Sequence, residues 1–338
     1  MDPAGFCTQT RVLIVAGKGG VGKTTVSAAL ARMAALAGLN ALIVEVEGKS
    51  GLAAAFGRPE PLTYEEVVLA PAGQPAGAGE VRARTLTPDD ALVEYLQDRG
   101  LRRVSRRLLS SGAIDVVATA APGIKDILVL GKVKQLERSS ARTGADGQRP
   151  QLDLIVLDAP AAGHAVTFLT SAHGLLDAVR VGPIRAQAQD VIDLLTDPER
   201  CQVLLVTLAE ETPVNEVVET AYRLEDRVGV ALGPVVVNGL YPALDGLDVD
   251  PEEAAERAGV HLRPAEAASL RAAAEFRRAR SALHHEQVER LARALPLPQL
   301  HLPFLFTTEV GRAEVEALAR GLADQVRSLP AQPAPAPG

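Results

Sequence analysis

Residues 11–25 read RVLIVAGKGGVGKTT. The run RVLIVA at 11–16 is apolar, β-branched and closed by a glycine, which is the pattern of a buried strand. GKGGVGKTT at 17–25 then satisfies G-x-x-x-x-G-K-[ST] through Gly17, Gly22, Lys23 and Thr24. Residues 23–38 (KTTVSAALARMAALAG) are rich in alanine and leucine and end on Gly38, a helix with its stop signal. ALIVEV at 41–46 reads as a second strand. Strand, glycine loop, helix and strand at this spacing form a βαβ unit, and a βαβ unit implies a parallel sheet.

The loop has a chemistry as well as a shape. Glycines let consecutive backbone N–H groups turn inward onto phosphate oxygens, so Gly19, Gly20, Val21, Gly22 and Thr25 form the expected cradle. Lys23 is expected to reach the β- and γ-phosphates, and the Thr24 hydroxyl to hold Mg²⁺. The helix behind them adds its positive end. A chance match in a chain of this length is roughly a one-in-a-hundred event at average glycine usage. The same residues also spell the dinucleotide fingerprint G-x-G-x-x-G (Gly17, Gly19, Gly22), with Glu45 placed as a ribose acid. That reading leaves Lys23-Thr24-Thr25 at the helix start unexplained, so the triphosphate reading is preferred. Only six of the 35 basic residues are lysine, and two of those six lie in this loop. Lys18, at its tip, either reaches outward to a nucleotide on a second protomer or is a solvated loop charge.

Working outward, 152–157 (LDLIVL), 203–208 (VLLVTL), 234–237 (PVVV) and 299–303 (QLHLP) are further strands. Thr212 and Pro213 read as N-cap and first position of a helix to about Val228. The alternation predicts one doubly wound, mostly parallel α/β domain over 11–328. A helical insertion at about 86–138, an N-terminal tail at 1–10 and a disordered Pro/Ala tail at 329–338 complete the organisation. Stretches 70–79 and 139–151 read as flexible loops, and 265–295 as a long charged helix.

Three further sites follow from their positions. Asp158 opens DAPAAGH at the carboxyl end of a strand, where a carboxylate can hold a magnesium-bound water. Gly163 and His164 end that stretch in an expected turn. Glu45 and Glu47 stand two apart on a strand and so share a face; both suit Mg²⁺-bound or attacking water. Asn238 ends VVVN, and its amide suits an adenine edge or simply an Asn-Gly turn.

Composition bounds the rest. The chain has 338 residues and a net charge of −7, which weighs against non-specific nucleic-acid binding. Two cysteines, Cys7 and Cys201, form no CxxC pair, so neither a cysteine zinc site nor a disulfide framework is expected. No signal pattern and no long uncharged apolar run is present, and a cytoplasmic location is the default expectation. His284 and His285 are adjacent, and on a helix they diverge by about 100°, a poor metal pair.

GKGGVGKTT resembles the deviant Walker A loop of the SIMIBI class of P-loop ATPases, which contains ArsA, the tail-anchored-protein targeting ATPases, ParA and MinD. DAPAAGH is similar to the switch II motif DTAPTGH of the ArsA subfamily, with Ala159 and Ala162 in place of its two threonines. The resemblance runs from about residue 11 to 325. It implies a P-loop NTPase fold that binds ATP or ADP with Mg²⁺ and dimerises with Lys18 contacting the partner's nucleotide. It also implies adenine contacts from Asn238 and Pro303, and a water-orienting acid at Glu47. The subfamily has Asp there, and one extra methylene shifts a carboxylate by about an ångström, a displacement that can cost on the order of 100-fold in rate. The metalloid-binding cysteine cluster, the zinc CxxC and a Met-rich groove are all absent from the sequence, so neither an arsenical-pump nor a tail-anchor role is carried over. The pattern is most similar to actinobacterial ArsA-like ATPases, some of them paired homologues. The expectation is therefore a homodimeric or heterodimeric switch ATPase coupled to a protein client, in solution or at a membrane. A nucleotide-binding regulatory subunit that scarcely hydrolyses, and a ParA/MinD-like positioning ATPase, are the alternatives.

Overall fold

The computed structural model describes residues 1–46, 51–98, 123–141, 152–180 and 182–329. Strand β1 (Val12–Gly17) pairs in parallel with β5 (Leu154–Ala161) on one side and β6 (Cys201–Leu208) on the other. Past β5 lie β2 (Ala41–Val46) and β4 (Val81–Leu86); past β6 lie β8 (Val235–Leu240) and β9 (Gln299–Pro303), all parallel. Antiparallel β3 (Val67–Ala70) closes the β4 edge, and the two-residue β7 (Ala231–Leu232) pairs with β6. Among the described residues the order is β3-β4-β2-β5-β1-β6-β8-β9. The chain leaves β1 toward one edge and, after β5, crosses to the other. The carboxyl end of β1 is thus a topological switch point, where open parallel sheets form their ligand crevice.

Alternation along β1 divides the core in two. Val12, Ile14 and Ala16 face one apolar layer, and Leu13 and Val15 face the other. The first layer is covered by α5 (Ile124–Ala141), α6 (Ala162–Ala178), α7 (Pro183–Leu195) and α8 (Glu211–Val228). The second is covered by α2 (Lys23–Leu36), α11 (Arg312–Ser328) and the short α1 (Pro3–Cys7). In α2, Ala28 to Ala31 and Met33 to Ala35 are at most 1% exposed. The intervening Arg32 is buried too, at 8% exposed, with its Nε held by Glu316. A helix apolar nearly all round must be enclosed, and its alanines let the sheet and α11 approach closely. The remaining helices among the described residues are α3 (Gly51–Ala55), α4 (Pro88–Asp98), α9 (Pro251–Ala258) and the 31-residue α10 (Pro264–Ala294).

Several sequence expectations need correction. Residues 1–10, read as a tail, carry α1, whose Phe6 and Cys7 are buried. The Met1 ammonium donates to the Leu329 carbonyl at 3.0 Å, which ties the start of the chain to the end of α11. The 70–79 stretch joins β3 to β4 as the expected loop, but the edge pair itself went unrecognised because Arg82 and Arg84 interrupt the apolar pattern of β4. The helix expected from an N-cap at Thr212 starts at Glu211, with Glu210 in the extended cap position. Pro213 therefore sits inside the first turn, where a missing N–H costs nothing. Of the expected insertion at 86–138, residues 99–122 lie outside the described residues, as do 330–338 of the expected tail. Both cysteines are free and buried, and burial pushes the Cys7 thiol up to about 12. Among the described residues no helix is long and apolar enough to cross a membrane.

Candidate functional site

The phosphate-loop sequence sits at the switch point because β1 ends there. Gly17 is the last residue of β1, and a Cβ on it would lie 2.3 Å from the Val206 carbonyl of β6. Only glycine allows that approach. Gly20 and Gly22 have φ of +86° and +90°, the left-handed region that glycine enters without steric cost. Gly22 is also the N-cap of α2 and supplies no side-chain cap. The helix start thus offers backbone donors and the positive end of its dipole to an anion. Gly19 and Gly20 are exposed, Val21 is buried and Thr25 half-buried. The buried Lys23 folds back over the loop, its Nζ donating to the Lys18 carbonyl at 3.0 Å.

A polar pair closes the floor. The Thr24 hydroxyl donates to Asp158 Oδ2 at 2.7 Å across 134 residues of sequence. Asp158 is fully buried on β5, in register with Val15 of β1 and with Glu45 of β2. Glu45, 1% exposed, accepts from the Thr85 hydroxyl at 2.8 Å. A hydroxyl and two neighbouring carboxylates on adjacent parallel strands are the hard oxygen donors that Mg²⁺ takes. With a glycine-lined concavity beside them, these residues fit a magnesium-bound triphosphate.

The flanks carry the other candidates. Lys18 Nζ lies 2.6 Å from Glu216 Oε1 on α8 of the same chain. Asn238, on β8, donates from Nδ2 to the Val21 carbonyl at 2.9 Å. A Cβ at Gly22 would stand 2.3 Å from that same Nδ2, so the glycine also makes room for the amide. Pro303 ends β9, exposed and in register with Leu240. Beside it Tyr241, Phe304 and Phe306 form an edge-on cluster with centroids 4.9–5.6 Å apart, and the Arg277 guanidinium lies 4.4 Å above the Tyr241 ring. His284 faces the cluster and takes the Tyr241 N–H on Nδ1 at 3.3 Å, while the exposed His285 pairs with Glu289.

The structure therefore brings Lys18, Gly19 to Thr25, Glu45, Asp158 and Asn238 around one crevice, with Pro303 further along the same sheet edge. Glu47 lies outside the described residues. Gly163 and His164, expected in a turn, belong to the first turn of α6. Glu216 was missed altogether. It lies 198 residues from Lys18, and no local pattern marks it.

The sequence model of the anion-transporting ATPase (ArsA) family matches residues 10–181, half of the chain and all of this crevice except Asn238, Glu216 and Pro303. The chain is 36% identical to ATPase BagA of Mycobacterium tuberculosis over 249 residues, covering 73% of this chain and 69% of that protein. It is 26% identical to an arsenical pump-driving ATPase of Escherichia coli, covering 68% of this chain and 40% of that one. ATPase get3 of Schizosaccharomyces japonicus matches at 26% identity over 57% of this chain and 56% of its own. A glycine loop at the end of β1, a hydrogen-bonded threonine–aspartate pair beneath it and this similarity together place the chain in the ArsA family of ATPases.

Proposed function

We propose that the chain is a Mg-ATP-binding and hydrolysing switch that works as a dimer, with 11–328 acting as one ATPase domain. The single observation that carries this is the Thr24–Asp158 hydrogen bond beneath the left-handed glycine loop. Backbone donors of Gly19 to Thr25 bind the phosphates, and Lys23 exchanges its bond to the Lys18 carbonyl for a phosphate oxygen. Thr24 and Asp158 would hold the cation, and Glu45 would do so through water. Bound there, Mg²⁺ would offset the charge of the β- and γ-phosphates. Asn238 and Pro303 border the adenine, and Glu47 orients the attacking water. Lys18 leaves Glu216 to reach the nucleotide of a second copy or a paralogue, and the helical segment around α4 and α5 passes the state to a client protein. Phosphoryl transfer needs positioning and charge stabilisation more than covalent chemistry, and this is what such an arrangement supplies.

Phosphate release from ATP, with and without Mg²⁺, by the parent and by Lys23→Ala tests the reading. Mg²⁺-dependent turnover lost in the variant supports it; turnover unaffected by the variant overturns it. Glutamate at 47, where the subfamily has aspartate, favours a second reading in which the chain binds ATP but scarcely hydrolyses it. Turnover measured alone and with a paralogous partner separates the two.

A further inference from the structure

Asn238 lies on β8, two strands from β1 in the sheet, yet its side chain touches the loop that leaves β1. Val236, two residues earlier, belongs to the apolar layer that α2 covers, so by alternation Asn238 projects to that same side. Its Nδ2 donates to the Val21 carbonyl at 2.9 Å, and Val21 is 1% exposed. Gly22 approaches the amide so closely that a Cβ on it would stand 2.3 Å from Nδ2. A bond to the loop's own backbone recognises no base. It acts on the loop.

The bond fixes one peptide plane. In a trans peptide the carbonyl and the N–H that follows it point in opposite directions. A Val21 carbonyl held toward β8 therefore turns the Gly22 N–H away from β8, toward the inside of the loop. Gly22 sits at φ +90°, and glycine accepts φ of either sign, so sterics alone do not hold this plane in place. A flip would present a carbonyl oxygen, and not a donor, to an anion in the loop. Asn238 is the side chain that opposes the flip.

We propose that Asn238 is a positioning residue for the phosphate loop: it aims the Gly22 N–H at a phosphate oxygen, whatever base the nucleotide carries. The inference rests on the triphosphate reading of the loop and adds to it a task for a residue 217 positions away. Oδ1 takes no part in the bond, so a base donor can still meet the amide there. A hydrogen bond to a charged group contributes about tenfold or more in affinity, which sets the size of the effect.

Magnesium tripolyphosphate, a triphosphate chain without base or sugar, separates a loop role from a base role. Calorimetric titration compares it with Mg-ATP on the parent chain, on Asn238→Leu and on Asn238→Ala. Leucine keeps roughly the shape of the amide without its donor; alanine only removes atoms and decides the matter should the leucine variant not fold, with circular dichroism reporting folding. The parent should bind both ligands, and each folded variant should bind tripolyphosphate at least tenfold more weakly. Parent-like tripolyphosphate affinity in a folded variant would overturn the proposal, even if ATP affinity falls, and would leave the crevice assignment intact. A parent that takes ATP and no tripolyphosphate would overturn it too, since no loop is then held ready independently of the base. A parent that takes neither would remove the triphosphate reading and this inference with it.

Discussion

The Lys18 ammonium lies 2.6 Å from the Glu216 carboxylate of its own chain. A lysine proposed to serve a second protomer is therefore held at home, by a partner on α8. Both side chains are close to 40% exposed, at 39% and 38%. Exposed pairs contribute about 0.2–1 kcal/mol, so the contact shifts an equilibrium by no more than about fivefold. It is a weak restraint. Glu216→Gln should raise the ATP-dependent dimer fraction by up to about fivefold, and Lys18→Ala should abolish the ATP dependence. Sedimentation velocity with and without a non-hydrolysable ATP analogue measures both. A dimer fraction that responds to ATP in Lys18→Ala as in the parent would remove Lys18 from the interface.

Asp158→Asn keeps the shape of a buried side chain and removes its charge. With Thr24 hydrogen-bonded to it at 2.7 Å, the variant should fold, yet lose the Mg²⁺ dependence of ATP binding and at least 100-fold of any turnover. Nucleotide titrations with Mg²⁺ and with EDTA make the comparison. Unchanged Mg²⁺ dependence would exclude the aspartate from the cation site.

Gly22→Ala meets two penalties, a φ of +90° and an Asn238 Nδ2 only 2.3 Å from the new Cβ. Left-handed strain in a non-glycine residue costs about 1–3 kcal/mol, and the clash adds to it. Adding Asn238→Ala should recover the clash and leave the strain, so the two substitutions should couple by more than about 0.5 kcal/mol. Urea unfolding of the four proteins of this cycle checks it; strict additivity would contradict the close approach.

Two histidines give the stability a pH dependence. Burial lowers the pKa of His301, and burial aided by the Arg280 and Arg277 charges lowers that of His284, both from the usual 6.5. A lowered value means that the unfolded chain binds more protons between 6.5 and the folded values. Stability is therefore complete above 6.5 and declines as the pH falls through that window. His301→Gln should flatten part of the decline. Urea midpoints at pH 7.5 and pH 5.5 for parent and variant give the answer, and an equal slope in both would exclude His301 as a source.

What the sequence disclosed and what it hid have physical reasons. The loop was legible because its function is local: Gly17, Gly22, Lys23 and Thr24 must be near neighbours to wrap one phosphate group. Strand β1, buried on both faces, announced itself as an unbroken apolar run, and β2 as one broken only by Glu45. The β3–β4 edge did not, since Arg82 and Arg84 interrupt β4. Yet Arg84 is buried over the Tyr64 ring at 4.3 Å, an arrangement that only the fold creates. The first turn of α6 was read as a free-standing turn because Gly163 and the Pro160 and alanines before it are poor markers of a helix start. The Lys18–Glu216, Thr24–Asp158 and Asn238–Val21 contacts span 198, 134 and 217 residues. Of these residues, Asp158 and Asn238 carried strand-end signatures that let their places be foreseen, whereas Glu216 carried none.

The most direct measurement is a calorimetric titration of Mg-ATP into the parent chain and into Lys23→Ala. One nucleotide should be taken up per chain by the parent, with that uptake lost or weakened at least 100-fold in the folded variant. A folded parent that takes up no Mg-ATP, or a Lys23→Ala chain that binds it as tightly as the parent, would contradict the assignment of this crevice to a triphosphate.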